Sequence, residues 1–245
     1  MNKAHLIEVG QALARPPGPA AAPCYSAALY RAMQIATAEP LRRWAFRLLF
    51  AAVLLLAAFL RMRGLEYGVP YPRHHRPDEE QIVDQALHMV ASHDLEPGEL
   101  NYPDLFKYLG AAALFASYQA GRLTGRYVAI KDFLFDVRVT RAGRHYVVCR
   151  AVSAAIGVGT VLLVALLARE LGGSAPAALL AAAFLGTSFL HVRDSHFATV
   201  DVTMTFFATL SLYFAVRAWD RAGKAMLVLS GLAAGMAAAT KYNAG

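Results

Sequence analysis

The sequence predicts an all-α polytopic membrane protein, and three observations carry that prediction. Apolar residues make up 57% of the 245-residue chain, the mean hydropathy is +0.39, and the charges fall in short blocks between apolar runs. Soluble domains do not combine these properties. The 24 Lys and Arg against 17 Asp and Glu leave a net charge of +7. They flank apolar segments and form no aromatic-interleaved patch, so loops and lipid headgroups account for the excess, and nucleic acid is set aside as a partner. Cys24 and Cys149 are too few for a disulfide framework or a thiolate metal site.

The elements follow in order. Residues 1–43 carry RPPGPAAAP and no apolar run of signal-peptide length, and read as a flexible polar tail on the cytosolic side. Residues 44–60 form a first span, with Arg42, Arg43 and Arg47 placing its start in the cytosol. Further spans are expected over 151–168, 177–190, 202–216 and 225–240, the shorter ones extended by flanking Ser, Thr, Tyr and His. The stretch 108–121 is brief, bounded by Lys107 and Arg122, and holds Tyr118 and Gln119. It reads as a re-entrant or interfacial helix.

That reading makes residues 61–150 one large outer loop, with Asp78 and Asp201 facing one compartment. The short-loop charges agree, with Arg169, Arg217, Arg221 and Lys224 inside against Arg193 outside. If 108–121 spanned instead, the two aspartates would face opposite sides.

Residues 71–89, YPRHHRPDEEQIVDQALHM, read as a surface helix on the outer loop. Pro77 suits its first position, and the acidic first turn suits the helix dipole. At 100° per residue, Ile82, Val83, Ala86, Leu87, Met89 and Val90 share one face, opposite Glu80, Gln81, Asp84, Gln85 and His88. Glu79 falls near the middle of the apolar face and Asp78 at its edge. One reading makes both merely helix caps. An ionisable group turned toward protein and bilayer has a partner or a task, and the second reading is adopted. A second polar constellation, HVRDSHFATVD at 191–201, joins two spans. Asp201, Thr205 and Thr209 recur every four residues beyond it; the threonines read as helix glue, whereas Asp201 could order a basic group or a substrate.

These motifs occur in a telling order: RPDEE after the first span, NYPDLFKYLG at 101–110, HYVVCRAVSAAIGVGTVLLVALLARELGG at 145–173, HVRDSHFATVDVTMTFFATLSLY at 191–213 and GLAAGMAAATKYNA at 231–244. Over residues 44–245 the chain resembles the amino-terminal half of a GT-C-fold, polyprenyl-phosphate-dependent glycosyltransferase, similar to the protein O-mannosyltransferase and aminoarabinose transferase families. The resemblance implies a transmembrane helix bundle whose large first outer loop carries surface helices. It places the family's acidic motif on Asp78 and Glu79, with Asp78 as general base toward an acceptor hydroxyl. It matches the proline-containing motif to Tyr102, Pro103 and Lys107, the second acidic position to Asp201, and a donor-side lysine to Lys241. Asn101 and Asp104 depart from the more familiar HPPLGK pattern.

Such a transfer needs a base for the hydroxyl proton and a cation aimed at the leaving phosphate. Lys107, Arg150 and Lys241 are the candidate cations, with His196 beside Asp201 as a further donor-binding candidate. The expected partners are a polyprenyl-phosphate sugar donor, a hydroxyl acceptor on lipid, glycan or protein, and membrane lipid. The expected location is a bacterial plasma membrane, with the site on its outer face. No tight metal signature occurs among the histidines, so no protein-held metal is expected, while a divalent cation bridging Asp78 and donor phosphate stays open. The alternative to an enzyme is a transporter or a non-catalytic membrane subunit. The chain is also expected to be a fragment that is inactive alone, because relatives of this kind are much longer.

Overall fold

A computed structural model describes residues 43–69, 77–96, 102–221 and 223–242. The tail expected at 1–43 lies almost wholly outside them, as do Asn101, His74 and His75. The chain divides into two units, Met1–Leu49 and Phe50–Gly245. The described helices lie in the second unit, apart from the start of the first helix at Arg43.

The protein is an all-α polytopic membrane protein. Helix α1 covers Arg43–Met62 and α2 covers Pro77–Ser92. Helices α3 (Leu105–Leu123) and α4 (Ile130–Phe135) run into a π-helical segment, Asp136–Thr140. Helices α5 (Arg144–Glu170), α6 (Ala175–Thr187), α7 (Phe189–Ser195), α8 (Val200–Arg221) and α9 (Lys224–Ala238) complete the chain. No strand occurs among the described residues.

Helices α1, α5 and α8 are long and apolar enough to cross a membrane. Helices α6 and α7 qualify only as a pair, bent by 58° at Ser188, and α9 is a shorter apolar helix. These bounds differ from the sequence expectation most at two places. The segment expected at 151–168 begins at Arg144, because Arg150 finds a buried partner and so does not end the helix. The segment expected at 177–190 is broken, with Ser188 leaving the helical region at φ −59° and ψ 117°.

Two cores hold the unit together. The first packs the apolar face of α2 (Ile82, Val83, Leu87) on Phe106 and Leu114 of α3 and on Tyr146 and Cys149 of α5. Every residue of that face is buried, while Asp84 and His88 on the other face are exposed. Each large apolar side chain so buried contributes about 1.5–3 kcal/mol. The second core is built of small residues, Ala57, Ala165, Ala178 and Ala182 around Val161, which bring α1, α5 and α6 close together. Between α8 and α9 one polar contact is made: Ser211 and Ser230 each donate to the other's carbonyl at 2.9 Å. Thr205 and Thr209, read from sequence as interhelical glue, instead donate to carbonyls four residues back in α8.

An arginine fastens the break. Arg61, fully buried, donates to the Gly186 carbonyl at 2.9 Å, to that of Leu185 at 3.1 Å and to His191 Nδ1 at 2.9 Å. Gly157 of α5 lies against it; a Cβ there would stand 2.5 Å from Ser195 Oγ and 3.1 Å from Arg61 Nε.

Candidate active site

Four polar side chains from separate parts of the chain gather at one end of the bundle. Asp78 is exposed in the first turn of α2, and the Tyr102 hydroxyl, just ahead of α3, donates to its Oδ2 at 3.2 Å. Asp201 opens α8, and Lys241, just past α9, donates to its Oδ1 at 2.6 Å. The charges of Asp78, Lys241 and Asp201 all act on the Tyr102 phenol. Backbone geometry ties the two pairs together: the Leu105 amide at the start of α3 donates to the Ala239 carbonyl at the end of α9, at 3.1 Å.

This arrangement polarises its members. Burial and then the Asp78 carboxylate push the Tyr102 phenol above its ordinary pKa, so it remains a hydrogen-bond donor at neutral pH. The hydrogen bond that Lys241 donates to Asp201 pushes the lysine above its ordinary value, with the charge of Asp78 contributing less, so the ammonium stays charged. Asp201 and Lys241 keep 42% and 28% of their side-chain surface open, enough to meet a ligand.

Glu79, the next residue after Asp78, has the opposite environment. Its carboxylate and the Arg150 guanidinium both have no exposed surface. They form a bidentate pair, Nε to Oε1 and Nη2 to Oε2, each 2.7 Å. Arg150 Nη1 also donates to the Leu65 and Tyr67 carbonyls, and the Ala198 amide donates to Glu79 Oε1, all at 2.7 Å. One buried pair thus joins the chain after α1, helix α2, helix α5 and the α7–α8 turn. Sealed in this way, neither group can take a proton from substrate or face a phosphate without moving.

Lys107 and His196 also stand apart from the four. The Lys107 side chain is 2% exposed, donating to Asp104 Oδ1 at 2.7 Å and to the Tyr102 carbonyl at 3.2 Å. Asp104, the departure from the HPPLGK pattern, is therefore the lysine's counter-ion. His196 sits with Nδ1 2.8 Å from the Val192 carbonyl and Nε2 2.8 Å from that of Arg63. Of the residues named from sequence, the structure brings together Asp78, Tyr102, Asp201 and Lys241. Asp104 and Arg61 are the structural partners that the sequence reading missed. Among the described residues no group of three His, Cys, Asp or Glu is placed to hold a metal ion.

Comparison with protein families adds the decisive observation: the model for dolichyl-phosphate-mannose-protein mannosyltransferase matches residues 103–245, more than half of the chain. The chain belongs to the dolichyl-phosphate-mannose-protein mannosyltransferase family. In this mannosyltransferase-family chain the match takes in Lys107, Arg150, His196, Asp201 and Lys241, while Asp78, Glu79 and Tyr102 lie ahead of it. A protein of Aquifex aeolicus (strain VF5) named "Uncharacterized protein" is 38% identical over 92 residues, which are 38% of this chain and 18% of that protein. The chain's match thus spans less than a fifth of that relative. No solved structure matches the present chain.

Proposed function

We propose that this protein carries the acidic site of a membrane glycosyltransferase that moves a sugar from a polyprenyl-phosphate donor to a hydroxyl acceptor. The acceptor oxygen bonds to the anomeric carbon, the bond from that carbon to the phosphate oxygen breaks, and polyprenyl phosphate leaves. Asp78 takes the acceptor proton as the new bond forms. Lys241, held by Asp201, faces the charge that builds on the departing phosphate, and Tyr102 fixes the Asp78 carboxylate. Glu79, Arg150 and Lys107 act by positioning: the first two hold the turn that carries Asp78, and Lys107 holds the Tyr102 backbone. The site lies on the outer face of a bacterial plasma membrane, where a lipid donor presents its sugar phosphate at headgroup depth. Whether a divalent cation assists at the phosphate is part of this proposal's test.

The observation that supports this reading best is the pairing of an open carboxylate, Asp78, with a phenol on which Asp201 and Lys241 also act. The test uses membranes holding the protein together with whatever further chain its relatives possess, a radiolabelled polyprenyl-phosphate mannose and an EDTA arm. Asp78→Asn is expected to lower transfer by about a hundredfold to ten-thousandfold with the protein still folded. Transfer by D78N at the wild-type rate would overturn the assignment.

A further inference from the structure

A cavity of about 320 Å³ opens beyond the end of α1. Arg63, Tyr67, Arg150, Arg193, His196 and Phe197 line it, and none of Asp78, Tyr102, Asp201 or Lys241 does. Three of its six named walls are guanidinium groups. Two of these are already paired, Arg150 with Glu79 and Arg193 with Asp194 at 2.9 Å. The third, Arg63, lies over the Phe59 ring at 5.6 Å, and no carboxylate pairs with it among the described residues. Among the described residues that line the cavity, no carboxylate offsets the charge of Arg63.

Its shape and position narrow the ligand. The volume is at the small end for ligand pockets, room for a headgroup but not a peptide. It begins where the spanning helix α1 ends, just beyond the exposed Phe59, and so at the depth where apolar surface gives way to headgroups. His196 shapes the wall, since both of its ring nitrogens face backbone carbonyls. Arg150 gives the cavity a link to the four-residue site: one edge of its guanidinium holds Glu79, beside Asp78, and Phe197 lies 5.4 Å from its centre.

We propose that this cavity is a second anion site, which binds the phosphate of a membrane lipid through Arg63 and Arg193. It rests on the glycosyltransferase reading only for one source of that phosphate, the polyprenyl lipid; the other source is the surrounding anionic phospholipid.

The test is a binding measurement, not an assay of transfer. The full chain in phosphatidylcholine nanodiscs is titrated with fluorescent phosphatidylglycerol, then challenged with undecaprenyl phosphate. Wild type and D78N should bind alike, while Arg63→Gln and Arg193→Gln each weaken binding about fivefold and Arg63→Lys retains most of it. Arg193 is 44% exposed, so its variant tests the site even if R63Q fails to fold. Competition by undecaprenyl phosphate supports the site with the prenyl lipid as occupant; arginine-dependent binding without competition supports it with bulk phospholipid. Equal binding by wild type, R63Q and R193Q, or equal displacement of the probe by phosphatidylcholine, would overturn the proposal. Loss of transfer in D78N is read separately, so either idea can fail alone.

Discussion

Adjacent acidic residues, Asp78 and Glu79, reach opposite fates because successive side chains on a helix are 100° apart. Glu79 points into the core and meets Arg150, whereas Asp78 sits at the rim and meets Tyr102. That division was legible in the periodicity of 77–90. The partner of Glu79 was not, because Arg150 lies 71 residues away and on the sequence reads as a cation for the donor phosphate. Lys107 was obscured in another way: its role came from the family pattern, while the neutralising Asp104 stood three residues before it. The Asp201–Lys241 pair has a pH signature. Asp201 is the largest cause holding Lys241 above its ordinary value, so Asp201→Asn moves the lysine's titration downward. The alkaline limb of a pH–rate profile should then shift to lower pH in D201N, and an unmoved limb would remove Lys241 from the charged machinery.

At the scale of elements, the buried pair governs whether α2 docks. Glu79→Ala leaves Arg150 charged in a dry site, and is expected to cost about 3–5 kcal/mol in a denaturation series. Replacing both partners, as in E79L/R150M, should recover much of that loss, because no unpaired charge remains. Gly157→Ala forces a methyl into Ser195 and the Arg61 side chain, with an expected cost of about 1–3 kcal/mol and a lower melting temperature. The amphipathic helix α2 could be read from its pattern. The break at Ser188 was passed over, since AALLAAAFLGTSFL contains no proline and its Gly186, Thr187 and Ser188 are a short interruption of an otherwise apolar run.

For the whole molecule, the architecture requires the ends of α1, α7 and α9 to share a side with the surface helix α2. Single cysteines at Ser92 and Glu66, both exposed, should react with a membrane-impermeant reagent from one face of sealed vesicles, and one at Leu171 from the other. The helical class and the membrane environment were plain from composition alone. The assembly of the four-residue site was not, because it depends on the Leu105–Ala239 contact between segments 134 residues apart. The clamp at the break also bears on biogenesis. Helix α6 has 13 residues; Arg61 of α1 donates to its Gly186 carbonyl and joins the Ser188 amide at that of Leu185. A carbonyl freed by the break and buried away from water needs such a donor. The third apolar segment therefore settles only after the first is beside it, which makes the order of insertion a property of one guanidinium.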